Sequence, residues 1–330
     1  MPKSVVMRAI GEAEVLQIED VQVGAPQAHE VQMAVYAIGL NRAEIMYRTG
    51  NYVIEPRFPS CLGYEAAGIV TAVGDQVTEF TVGDQVSVVP SFGFDEYGTY
   101  GELINLPKHA IVKHPENLNF QQAAASWMMF VTAYGALVHF GQLQPGQYLV
   151  VGAASSSVGV AAIQIANMLG AIPIALTRSE AKKQQLLDLG AQHVVVSEAD
   201  DITKTLLKIT DGQGVNMVFD PVGGPMVGTL MQAMAKQGIF FQYGALDPRD
   251  MQMSVMDVLG KHLSLRGYEL FEITTDPIAL NEAKKFVYAG LASGQLTPMI
   301  DCVFDFNEIQ DAHRYMESNA QVGKIVVQVK

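Results

Sequence analysis

The chain has 330 residues, 49% hydrophobic and 17% charged, which excludes a disordered protein and supplies enough apolar material for two cores. With 21 basic against 34 acidic side chains the formal net charge is −13, which argues against nucleic acid or an anionic lipid surface as a partner. Two distant cysteines, Cys61 and Cys302, allow neither a disulfide framework nor a Cys-x-x-Cys metal knuckle.

The first residues lack the apolar stretch of a signal peptide, and no apolar run reaches the length of a membrane span, so a cytoplasmic protein with no membrane partner is expected. Up to about residue 115 the chain reads as short strands bounded by Gly and Asp. Residues 31–38, 66–73 and 82–89 are the clearest, and their spacing predicts a barrel-like β domain.

From about residue 120 strands and helices alternate. Strands are predicted at 148–153, 172–176, 193–196, 215–219 and 239–243. Helices are predicted at 158–169, 179–189, 202–209 and 226–235, with Gly170 and Gly190 as stops and Ser179 as an N-cap. Wholly apolar strands alternating with helices imply a parallel sheet covered on both faces. Beyond 265 the alternation fails. A helix at 280–291 and a closing strand at 324–329 follow, and this tail is long enough to return to the first domain.

The strand at 148–153 runs into Ala154-Ser155-Ser156-Ser157-Val158-Gly159 and then a helix. That is where a dinucleotide pyrophosphate sits, on backbone N–H groups and a helix N-terminus. The usual three glycines fall on Ala154, Ser156 and Gly159, so only the last survives, and serine hydroxyls stand in as donors. The alternative is a tight strand-to-helix turn without a ligand. The tip of the next strand reads Thr177-Arg178-Ser179, with no acid for a ribose 2′-hydroxyl. Arg178 offers a charged fork for a 2′-phosphate, with Ser179 and Lys182 as further contacts, and selects NADPH as the cofactor. Glu180 reads as a first-turn helix acid.

Gly63-Tyr64-Glu65-Ala66-Ala67-Gly68, then Gly74-Asp75 through Val82-Gly83-Asp84-Gln85-Val86, resembles the signature of the medium-chain dehydrogenase/reductase superfamily. The likeness continues through Thr132-Ala133-Tyr134, the serine loop, Asp220-Pro221-Val222-Gly223-Gly224 and Gly323-Lys324-Ile325-Val326. It implies an α/β protein with two parts. A GroES-like β-barrel catalytic domain would span 1–118 and 268–330, and a Rossmann doubly wound parallel sheet 119–267. A homodimer is expected, the family also forming tetramers.

Zinc members of this superfamily carry a Cys or His near residue 41, the His of a Gly-His-Glu motif and a further Cys or Asp. The matching positions here are Asn41 and Tyr64, and residues 90–101 lack the cysteines of a structural zinc lobe. The seven histidines form no close pair, so no metal is expected. The resemblance is nearest to the zinc-free quinone oxidoreductases (zeta-crystallin-like). It places Asn41 by the nicotinamide ribose and the acceptor, with Thr132, Val222, Gly244, Ala245, Leu246 and Lys324 also near the cofactor. Related enoyl reductases use a tyrosine matching Tyr52 as proton donor. A tyrosine of ordinary pKa is protonated at neutral pH and suits that role. Tyr52, Tyr64, Phe92, Trp127 and Phe271 are candidates for an apolar acceptor pocket.

Without a metal, the suitable acceptor is one that delocalises incoming charge, a quinone or an activated alkene. The reading is therefore an NADPH-dependent quinone reductase. An enoyl or alkenal reductase on the same scaffold is the alternative, and a non-catalytic NADPH-binding structural or redox-sensing protein is the alternative of another class.

Overall fold

Glu30–Gly39 is the strand on which the first sheet is built. Every second residue from Val31 to Ala37 is wholly buried, as expected of a strand with one face on a core. It pairs antiparallel with Glu65–Val73 on one side and with Lys324–Gln328 on the other. The sheet runs Ile300–Asp305, Lys324–Gln328, Glu30–Gly39, Glu65–Val73, Gln85–Val88, Ile111–Lys113, and Leu103–Pro107 also pairs with Glu30–Gly39. A small sheet of Leu16–Asp20, Lys3–Met7 and Ser60–Cys61 accompanies it. The closing strand thus returns from the far end of the chain to the first domain.

This computed structural model describes residues 1–330, and they divide into two compact units, 1–128 with 288–330, and 129–287. The helix Phe120–Ala124 packs on the strands of the first unit and belongs to it.

The second unit holds a six-stranded, wholly parallel sheet. Its order is His193–Val196, Ile172–Thr177, Tyr148–Val151, Val215–Asp220, Met234–Gln242, Ser264–Gly267. The chain starts at the third position and moves outward in one direction, then the other. This is the doubly wound Rossmann topology, whose crevice opens where the direction reverses, beside Tyr148–Val151 and Val215–Asp220. The core below contains Val150, Ile174, Val195, Leu206, Val218, Leu230 and Phe240.

Among the elements whose bounds differ from the sequence reading, two stand out. The helix at 226 ends at Gln232, not Ala235, because Val215 N–H bonds Ala233 O and draws Met234 into the sheet. The helix expected at 179–189 is a 3-10 turn, Glu180–Lys182, followed by the helix Lys183–Asp188.

Candidate functional site

Asn41 follows the strand Glu30–Gly39 and caps the helix Arg42–Arg48. Its amide nitrogen lies within hydrogen-bond distance of Gly39 O (3.2 Å), Glu44 Oε1 (3.2 Å) and Glu65 Oε2 (3.1 Å). Its oxygen accepts from Lys324 Nζ at 2.5 Å, and the same ammonium pairs with Glu65. Asn41 is 7% exposed, Lys324 1% and Glu65 0%. Met128 N–H donates to the other Glu65 oxygen at 2.8 Å. An ammonium and a carboxylate held this far from water persist only because each has a partner.

Behind Asn41 lies a second buried carboxyl. Glu44 accepts from the Asn41 backbone N–H, from Tyr64 N–H (3.2 Å) and from the Tyr100 hydroxyl (3.1 Å). Burial pushes its pKa up to about 7, against the pull of these donors and of Lys324. The Tyr100 hydroxyl also meets His313 Nε2 at 3.1 Å. His313 is wholly buried, and desolvation pushes it down to about 3, so it is neutral at ordinary pH.

Tyr52 is half-buried, and its hydroxyl lies 3.2 Å from that of Tyr64. Both rings belong to an aromatic group. Phe94 stacks on Tyr64 at 3.8 Å and lies 5.6 Å from Tyr52, and Phe92 sits 5.8 Å from Tyr64. Tyr52, Tyr64 and Phe92 are therefore brought together. Trp127 is not with them. It is wholly buried, with its indole N–H donating to Ser87 Oγ at 2.7 Å, which makes it barrel core. Phe271 lies in the second unit, at the start of the helix Phe271–Thr274.

In the second unit the strand Tyr148–Val151 leads through 152–156 into the helix Ser157–Met168. Ser156 is the N-cap and accepts from Gly159 N–H at 3.1 Å, so one serine oxygen serves the helix itself. A Cβ on Gly159 would lie 2.7 Å from Ala154 Cα, which explains the one surviving glycine of the motif. The sequence reading missed Gly152. A Cβ there would stand 1.9 Å from Asp220 Oδ1. Asp220 closes the neighbouring strand and accepts from Val222 N–H (3.1 Å) and Gly223 N–H (2.8 Å). Burial pushes it up to about 6.

The remaining expected cofactor residues all lie in the second unit. Ala154 N–H bonds Leu176 O, and Leu246 N–H bonds Pro221 O, which ties 221–222 to the Gly244-Ala245-Leu246 segment. Ser155 accepts from Lys182 Nζ at 3.3 Å. Ser157 and Val158, at the start of the helix, are half-buried, as is Thr177 at the tip of the next strand. Arg178 is exposed and has no carboxylate partner, while Glu180 pairs with Lys183 at 3.2 Å. The Ser179 hydroxyl makes no capping bond. Thr132 is buried in the helix Trp127–Tyr134.

Residues 27–116 match the family model described as alcohol dehydrogenase GroES-like domain, and 189–327 match that described as zinc-binding dehydrogenase. The chain is 30% identical over 332 residues to quinone oxidoreductase of Lama guanicoe, covering 98% of each protein. It belongs to the medium-chain dehydrogenase/reductase superfamily. This medium-chain reductase also matches a phenolphthiocerol/phthiocerol polyketide synthase of Mycobacterium tuberculosis at 30% over 321 residues. That match covers 97% of the chain but spans 14% of the synthase. Among solved structures, an NAD-dependent alcohol dehydrogenase superposes with TM-score 0.93 at 30% identity, covering 99% of this chain and all of that one. Escherichia coli quinone oxidoreductase complexed with NADPH superposes with TM-score 0.90 at 28% identity, with the same coverage.

Within this superfamily the zinc-dependent members set the test for a metal. No group of three or more His, Cys, Asp or Glu stands together in this medium-chain reductase. At position 41 an amide oxygen faces the Lys324 ammonium, and at position 64 a phenol faces Tyr52. An amide, a phenol and a cation are a poor donor set for zinc. The residues do not fit the metal for which the second matching family is named.

Proposed function

We propose that the protein is an NADPH-dependent reductase that passes hydride to a quinone-type acceptor without a metal. One observation carries the acceptor side. Position 64, a zinc-ligand position elsewhere in the family, holds a phenol whose hydroxyl lies 3.2 Å from that of Tyr52 inside an aromatic group. Flat conjugated carbonyls pack on such rings, and a phenol hydrogen-bonds their oxygen as charge develops.

On the cofactor side, Arg178 is an exposed guanidinium with no carboxylate partner at the strand tip that meets the adenosine ribose in this fold. It would pair with the 2′-phosphate, beside Thr177, Ser179 and Lys182. The loop 152–158 and the N-terminus of the helix Ser157–Met168 would hold the pyrophosphate. Bound NADPH supplies the hydride. Tyr52 then donates its phenolic proton to the reduced acceptor oxygen, Tyr64 supports the resulting phenolate, and water restores the proton. Thr132, Val222 and Gly244 to Leu246 complete the cofactor contacts.

A homodimer is the assembly this reading favours. The edge strand Ser264–Gly267 is paired on one side only. The preceding helix Val255–Lys261 exposes Val255 (69%), Met256 (75%) and Leu259 (63%). An open edge beside apolar surface suits a second copy.

The test is stopped-flow oxidation of NADPH and NADH with benzoquinone, phenanthrenequinone and crotonyl-CoA, with and without a chelator. Fast, chelator-insensitive NADPH oxidation by a quinone is expected. Turnover with crotonyl-CoA alone would make the protein an enoyl reductase. Loss of activity on chelation would sink the metal-free reading.

A further inference from the structure

Glu44 lies third in the helix Arg42–Arg48 after the Asn41 cap, where a Glu or Gln completes a capping box. That role needs one bond, to the Asn41 backbone N–H. Glu44 makes more. Its two oxygens also take the Asn41 amide, Tyr64 N–H and the Tyr100 hydroxyl, from two further segments of the chain. An ionised carboxylate accepts four donors comfortably, whereas a glutamine has one accepting oxygen and turns an NH2 toward the rest.

We propose that Glu44 is a positioning residue for the acceptor side of the site. It locks the Asn41 amide and the Tyr64 backbone together, and its protonation reverses the hydrogen-bond chain through Tyr100 to His313. The proposal rests on the reading of Asn41, Tyr52 and Tyr64 as the acceptor side.

The chain behind Glu44 has two self-consistent states. With Glu44 ionised, the Tyr100 hydroxyl donates to it, and His313 Nε2–H donates to the Tyr100 oxygen. With Glu44 protonated, its O–H donates to Tyr100, whose hydroxyl then donates to the bare Nε2 of His313. The second state needs the other imidazole tautomer, with the proton on Nδ1. That nitrogen is buried and has no partner in either state, so nothing in the protein pins the tautomer. Three donors remain aimed at the carboxyl, and protonation weakens its hold on the Asn41 and Tyr64 N–H groups.

The charges facing Glu44 bound its titration. Lys324 and Glu65 reach it through Asn41 as an ion pair. Arg48, one turn along the same helix, is wholly buried and pairs with Glu317, and it helps hold His313 neutral. Burial outweighs the pull of the Asn41 and Tyr64 donors and of Lys324 and leaves the Glu44 pKa about 7, where small changes in donors alter its charge.

The experiment uses the full chain, as wild type, Glu44→Gln, Glu44→Asp and Tyr100→Phe. The first readout is the infrared carbonyl band of a protonated carboxyl, followed by pH difference spectroscopy without any substrate. A band growing as pH falls through about 7 is expected in wild type and absent in Glu44→Gln. Removing the donated bond in Tyr100→Phe should move its midpoint to higher pH. The second readout is the pH profile of kcat and KM with phenanthrenequinone. In Glu44→Gln, kcat should fall about tenfold on the alkaline side and lose its titration near neutrality, and Glu44→Asp should restore part of it. A band titrating near pH 7 that survives in Glu44→Gln, apart from the Asp220 band near 6 that every variant keeps, or a midpoint that stays put in Tyr100→Phe, would overturn the proposal. So would a wild-type profile in Glu44→Gln, because glutamine preserves the capping box. If wild type reduces no quinone, the proposed acceptor fails, while the infrared midpoints still decide the Glu44 chain.

Discussion

Lys324 and Asn41 are 283 residues apart in sequence, yet the lysine ammonium donates to the asparagine oxygen at 2.5 Å. The closing strand makes this contact. Val326 pairs with Gly39 in the antiparallel register, and Leu40 N–H bonds Ile325 O, so Lys324 arrives beside Asn41. The ammonium is thereby sealed against Glu65, two positions past the turn at Gly63. Its cation stands between an amide and a carboxylate in the unit that also holds Tyr52 and Tyr64.

This buried pair makes a stability prediction. Lys324→Met leaves the Glu65 carboxylate buried and uncompensated, which costs about 3–5 kcal/mol when one partner is removed. The double variant Lys324→Met, Glu65→Gln should recover most of that loss. Urea unfolding of wild type, both single variants and the double variant checks it. Equal losses in Lys324→Met and in the double variant would refute the pairing as the cause.

Arg178 should separate the two nicotinamide cofactors. A charged hydrogen bond to phosphate contributes about 1.5–3 kcal/mol, or roughly 10–100-fold in affinity. Arg178→Gln should weaken NADPH binding by that factor and leave NADH binding nearly unchanged. Direct titration by cofactor fluorescence reads both constants. A parallel loss for both cofactors would mean that Arg178 shapes the loop instead of reading the 2′-phosphate.

Much of this was legible in the sequence, for identifiable reasons. The parallel sheet was legible because its strands are apolar on both faces and its helices stop at glycines such as Gly170 and Gly190. The closing strand was legible from its run of β-branched residues. The grouping of Tyr52, Tyr64 and Phe92 followed from a resemblance, and Trp127 did not join them because a large aromatic fills core as readily as it lines a pocket. The Glu44–Tyr100–His313 chain was not legible. Its members are scattered over about 270 positions, and no periodicity marks a polar residue that is buried because a distant one satisfies it. Gly152 is not legible because the three-glycine motif falls on Ala154, Ser156 and Gly159, and the close approach that Gly152 relieves comes from Asp220, on the next strand of the sheet.

Tyr52 is half-buried, so its hydroxyl can be removed with little cost to the fold. Tyr52→Phe should lower kcat for quinone by about a hundredfold, the lower end of what a positioned acid contributes. KM and NADPH affinity should change little. Retention of full kcat would remove Tyr52 from proton donation and leave it as packing for the acceptor.

Glycine 152 offers a steric test with an internal control. In Gly152→Ala the new methyl meets the Asp220 carboxyl at 1.9 Å, so Asp220 or the loop must move. NADPH affinity should fall at least tenfold, an effect of about 1.4 kcal/mol or more. Gly260→Ala is the control. Nothing lies within 4 Å of its Cβ and its backbone is ordinary helix. It should gain about 0.5–1 kcal/mol of stability with unchanged cofactor binding.

Asp220 itself predicts a pH dependence whose sign follows from its burial. Its folded pKa is pushed from 3.8 up to about 6, chiefly by desolvation. The folded protein therefore binds the proton more tightly than the unfolded chain does. The stability this contributes is complete below pH 3.8 and is lost as pH rises through about 6. Asparagine does not titrate. Its oxygen can accept from Val222 and Gly223 as Oδ2 does now, and its NH2 would occupy the place of Oδ1, which has no partner. Asp220→Asn should therefore match wild type below pH 3.8 and exceed it above pH 6, by up to about 3 kcal/mol at 1.4 kcal/mol per pKa unit. Urea midpoints measured across that window decide the matter. A variant less stable than wild type at neutral pH would show that the ionised carboxylate holds the 221–223 turn, and that its hydrogen bonds outweigh the cost of burying the charge.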